Sequence, residues 1–82
     1  MKIKLNGVRR INITGEYIRL DALLKLSSLA STGGEAKVYI QGGDVFVDDE
    51  LCVQRGRKVA PGSVVRFRND SLIVAGRRPA SG

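Results

Sequence analysis

The chain has 82 residues, with 14 Lys and Arg against 8 Asp and Glu, one Cys, no His and no Trp. A chain this short makes one small domain and buries only about 60% of the surface its unfolded form exposes, which leaves no depth for a large substrate pocket. Without His there is no Ser-His or Cys-His pair and no imidazole metal ligand. A single Cys forms neither an internal disulfide nor a CxxC site, which points to a reducing cytoplasm.

Val, Ile, Leu and Phe make up roughly 30% of the residues, above the disordered range of composition. The longest apolar run, Leu72 to Ala75, is far short of the ~20 residues a membrane span needs. No apolar segment of the secretory type follows Met1 to Arg10. These features predict a soluble, cytoplasmic, monomeric domain with no membrane partner.

In chain order, Lys2-Ile3-Lys4-Leu5 alternates and ends on Asn6-Gly7, a hairpin-turn signal. A short strand is expected near residues 10–14, where Ile11 and Ile13 alternate. Arg19 to Leu29 reads as a helix, because Leu20, Leu23 and Leu24 follow the i, i+3, i+4 spacing and Asp21 suits its first turn. Ser27 to Ser31 break that pattern. Thr32-Gly33-Gly34-Glu35 then has capping-box spacing and opens a second helix of about nine residues that stops at Gly42-Gly43.

From Asp44 the period changes to two. Val45 and Val47 form one strand, Asp48-Asp49-Glu50 a polar turn, and Leu51 and Val53 a return strand with Cys52 packed between them. Gln54-Arg55-Gly56-Arg57-Lys58 is a basic loop, and Pro61-Gly62 a turn. Val64 to Phe67 is a strand, Asn69-Asp70 a turn, and Leu72 to Val74 a last strand. The order predicts an α+β fold, two short helices on a small antiparallel sheet of four to five strands. Residues 1–76 form the single domain, and 77–82 a basic, flexible tail.

The charge is uneven. Residues 1–54 sum to zero, whereas residues 55–82 carry Arg55, Arg57, Lys58, Arg66, Arg68, Arg77 and Arg78 against Asp70 alone. Such asymmetry favours a polyanionic partner, since neutralised phosphates release counterions. Most of these cations are Arg, whose planar fork matches phosphate.

Arg19-Leu20-Asp21, Leu24-Lys25, Gly33-Gly34-Glu35-Ala36-Lys37, Ile40, Gly43, Val45, Val47 and Arg55-Gly56-Arg57-Lys58 before Pro61-Gly62 form an ordered set. Over roughly residues 17–67 this set resembles the S-four RNA-binding domain, or alpha-L motif, in its stand-alone bacterial form. Two positions depart from that family's pattern: Asp48-Asp49 stands where Asn-Gly is usual, and Ser63 where Asp is usual. The first puts the hairpin geometry in question and sets negative charge near the surface expected to face RNA.

The resemblance implies a structured RNA as partner, ribosomal or tRNA-like, and with it ribosomal subunits. RNA contact is expected from Arg55, Arg57 and Lys58, three cations around a glycine. It is also expected from Lys37 and Gly34 at the second helix, where a phosphate can approach amides without a Cβ in the way. Arg19 and Lys25 on the first helix join them on the resemblance alone. No catalytic residue, metal ligand or cofactor is expected. Glycine spacings of KH domains, P-loops and dinucleotide folds are missing. The alternatives are a protein adaptor using the same basic face, and a β-grasp carrier. Met1 to Gly7 and Pro61 to Val65 resemble the carriers, but the chain ends Ala80-Ser81-Gly82 and not Gly-Gly.

Overall fold

The computed structural model describes residues 8–76. The alternating segment before Asn6-Gly7 and the Arg77-Arg78 tail lie outside them. Seven strands and two helices follow in the order β1 (Val8–Asn12), β2 (Ile18–Arg19), α1 (Leu20–Leu26), α2 (Gly33–Gln41), β3 (Val45–Val47), β4 (Glu50–Leu51), β5 (Lys58–Val59), β6 (Val64–Phe67) and β7 (Asp70–Ala75). No helix among the described residues is long and apolar enough to cross a membrane.

The α+β class is as expected: both helices pack on a five-stranded sheet of order β1-β7-β6-β3-β4, beside a two-stranded sheet of β2 and β5. One pairing departs from the antiparallel expectation. β1 joins β7 in parallel, Val8 beside Ser71 and Asn12 beside Ala75, so the sheet is mixed. No hairpin links these two strands, so no turn forces their direction, and alternation alone permits either.

Leu20, Leu23, Leu24, Ala36 and Ile40 from the helices meet Val45, Val47, Val65, Leu72 and Val74 from the sheet, all fully buried. Each large aliphatic side chain so buried contributes about 2 kcal/mol. On β3 and β6 the side chains alternate, with Val65 and Phe67 inward and Val64 and Arg66 outward.

α1 is shorter than its apolar spacing suggests. Arg19 is extended and pairs with Lys58 across β2 and β5. At the other end Ser28 takes φ +69°. The Ser28 amide donates to the Lys25 carbonyl and the Leu29 amide to the Leu24 carbonyl, each at 3.0 Å. That is the Schellman arrangement, with Ser in the place glycine usually fills. Arg9, inward-facing on β1, donates from Nη2 to the Ser27 carbonyl at 2.7 Å, a cation at a helix C-terminus.

α2 matches its sequence signals. The Thr32 hydroxyl accepts from the Glu35 amide at 3.0 Å, and the Glu35 carboxylate accepts from the Ser31 amide at 2.7 Å. This differs from the standard box by one residue, since the carboxylate reaches past Thr32. Gly43, at φ +88°, turns the chain out of the helix.

The hairpin keeps the geometry of the usual Asn-Gly turn. Asp48 and Asp49 hold φ of +52° and +71°, both positive as a type I′ turn demands. Pro61-Gly62 is also a turn as expected: Gly62 has φ +100° and the Ser63 amide donates to the Ala60 carbonyl at 3.1 Å. The final turn sits one residue earlier than expected, at Arg68-Asn69, because Phe67 and Asp70 are the closing pair of β6 and β7.

Candidate nucleic-acid interface

The loop at residues 54–58 is a closed turn rather than a free loop. The Arg57 amide donates to the Gln54 carbonyl at 3.1 Å. The Leu20 amide donates to the Arg57 carbonyl at 2.8 Å, and the Asp21 amide to the Arg55 carbonyl at 3.1 Å. Two amides of the first turn of α1, which have no partner inside the helix, therefore hold the basic turn in place. Gly56 has no positive φ, and a Cβ there would meet Arg19 Nη2 at 3.7 Å, an ordinary contact.

This anchoring gathers Arg19, Arg55, Arg57 and Lys58 at the start of α1. Arg19 is exposed and its guanidinium lies 3.2 Å from Asp21 Oδ2, while Asp21 Oδ1 accepts from the Ala22 amide at 2.8 Å. Asp21 thus steers Arg19 without burying it. Lys58 Nζ sits 4.9 Å from the centre of the Tyr17 ring. Arg55 is exposed and Arg57 half-buried.

An open cleft of about 240 Å³ runs from this cluster to α2, lined by Arg19, Asp21, Ala22, Lys25 and Gly33. Lys25 therefore shares a surface with Arg19 and with the first residue of α2. Gly33 and Lys37 are four apart and lie on one helix face, with Lys37 and Gly34 exposed. Neither Gly33 nor Gly34 has a positive φ. A Cβ on Gly33 would meet nothing within 4 Å, and one on Gly34 only Thr32 Oγ1 at 3.8 Å. Backbone shape does not require glycine at either position.

Arg66 and Arg68 lie elsewhere. Arg66 points outward from β6, its guanidinium 3.1 Å from Asp49 and 5.1 Å from the centre of the Phe46 ring. Arg68 lies over the rings of Phe67 and Tyr39, 4.8 and 5.2 Å away, and 3.5 Å from Asp44. The pleat of β6 and the turn after it separate these two from the turn at 54–58. Both hairpin carboxylates are engaged with β6 as well, Asp48 accepting from the Val64 amide at 2.9 Å.

Tyr17 belongs to the cluster although no motif marks it. It is 47% exposed, not part of the core. Its signal is its place two residues before Arg19 in an extended segment, on the side that faces Lys58 across the pair.

Residues 11–75 match the family model described as S4 domain. The chain belongs to the S4 domain family. It is 42% identical over 57 residues to the probable ribosome maturation protein RlbA of Bacillus subtilis (strain 168), an alignment covering 70% of this chain and 80% of that protein. Its fold superposes with TM-score 0.63 on the solution structure of YbcJ from E. coli, at 25% identity, over 92% of this chain and 94% of that one. For YbcJ an αL motif involved in RNA binding is described. The chain thus shares its fold with that αL structure.

Proposed function

We propose that this S4 domain binds structured RNA, ribosomal RNA foremost, by phosphate and shape contacts, with no chemistry of its own. The observation that carries this reading is the backbone anchoring of the 54–58 turn on α1. It brings Arg19, Arg55, Arg57 and Lys58 beside the cleft that leads past Lys25 to the glycine start of α2. Cations fixed on a rigid scaffold around a shallow cleft suit the phosphates and shallow groove of folded RNA. Tyr17 and Asp21 are positioning residues in this reading, for Lys58 and Arg19 respectively. The αL motif of YbcJ and the ribosome maturation role given to RlbA support it. In this reading the protein works in the cytoplasm among ribosomal subunits or their precursors, with the RNA-binding module running to residue 76, and the role printed for RlbA supports that setting.

The test is binding to protein-free ribosomal RNA at a series of salt concentrations, for the wild type and for Arg55→Ala/Arg57→Ala/Lys58→Ala. With four to six phosphates engaged, log affinity falls against log salt with a slope of about −3 to −5. The triple variant's slope is shallower by about three. Affinity that ignores salt sinks the reading.

A further inference from the structure

The sheet face turned away from the helices carries a different chemistry. Strand register sets Arg10 beside Ile73 and Ile73 beside Val64 in one row, and Arg66 beside Phe46 and Phe46 beside Leu51 in the next. Ile73, Val64 and Leu51 are 38, 40 and 55% exposed, so no described residue covers them. The six positions hold four apolar side chains, two Arg and no Lys.

We propose that this face docks an acidic, partly apolar protein surface while the helix side of the domain holds RNA. Apolar residues and Arg with few Lys or carboxylates is the composition of a protein interface core rather than of a solvated sheet face. Arg10 makes no ion pair among the described residues, and Arg66 lies over Phe46 with its guanidinium also on Asp49. Arg10 therefore asks for a carboxylate, and the aliphatic rows for apolar contact, while Arg66 already has Asp49.

RNA fits this face less well. Phe46 is its one aromatic ring, and Arg66 already lies over it, so no bare ring is left for a base to stack on. A second copy of the chain also fits poorly. It would add two more Arg, while the carboxylate at the rim, Asp49, is already engaged.

The setting of the test rests on the ribosomal reading above, and its arms separate the two. Affinity is measured for intact bacterial ribosomal subunits and for protein-free ribosomal RNA, using the wild type, Val64→Thr/Ile73→Thr and Arg10→Glu. Thr keeps the β-branched shape while removing apolar surface. The Thr pair is expected to bind intact subunits about tenfold more weakly, the scale of a central interface contact, and protein-free RNA unchanged within about twofold. Arg10→Glu should lose more on subunits than on RNA.

Equal affinity of wild type and Thr pair for intact subunits overturns the proposal, the face then being bare or self-covered. Equal losses on subunits and protein-free RNA overturn it in favour of an RNA surface. A wild-type dimer in sedimentation that the Thr pair dissolves overturns it in favour of self-association. If the wild type binds subunits but not protein-free RNA, and the Thr pair loses that binding, the docking face stands and the RNA reading falls. Wild-type binding to neither overturns both.

Discussion

The backbone amide of Leu20 donates to the carbonyl of Arg57 at 2.8 Å, tying the first turn of α1 to the basic turn without using a side chain. The cations on that turn therefore carry little of the fold. Arg55→Ala/Arg57→Ala/Lys58→Ala is expected to keep its circular dichroism spectrum and to lose less than about 1.5 kcal/mol of stability in urea, each change being of the surface class. A chain unfolded at room temperature would show instead that side chains hold the turn.

Gly34→Ala separates conformational from functional need. Gly34 sits inside the first turn of α2 with room for a Cβ. Alanine is the better helix former and restricts the unfolded chain, so stability rises by up to about 0.5 kcal/mol. On the RNA-binding proposal affinity falls, because the methyl group would stand in the path of a phosphate. Paired melting and binding measurements check this, and higher stability with full affinity removes Gly34 from the interface.

Asp49→Gly relieves a non-glycine residue at φ +71° and gives up an exposed ion pair with Arg66. The strain relieved exceeds the pair, which is worth under about 1 kcal/mol. Even after the larger unfolded-state entropy of glycine, a net gain of about 0.5 kcal/mol is expected. The midpoint of urea unfolding should move up.

Leu24→Ala tests the centre of the core. The side chain is completely buried, and removing it costs about 3 kcal/mol by lost burial and residual cavity. For a domain of this size the melting temperature should drop by more than about 10 °C. A smaller change means that the helix pair collapses onto the space left.

The local parts of this fold could be read from the chain, because each rests on neighbours. Leu20, Leu23 and Leu24 mark the buried side of α1, Thr32 and Glu35 the start of α2, and the alternation through Val45 and Val47 the sheet. The parallel pairing of β1 with β7 could not be read, since Val8 and Ser71 meet only in three dimensions. The serines from Ser27 mark where α1 breaks, but the left-handed turn that closes it escaped, because a serine, Ser28, fills the position that glycine would have announced. The cations were visible, but their division was not. The pleat of β6 sends Arg66 to the outer face, and the turn after it sends Arg68 to Tyr39, leaving Arg55, Arg57 and Lys58 with Arg19.

The parallel seam between β1 and β7 also governs when the domain can assemble. Val8 must wait for Ser71, 63 positions further along, before its strand has a partner. The helix pair, the β3–β4 hairpin and the β6–β7 hairpin close through near neighbours and can form first. Contacts this far apart raise the contact order and slow the closing step. In vectorial synthesis β1 is therefore made well before β7, and its place in the sheet stays open until β7 follows.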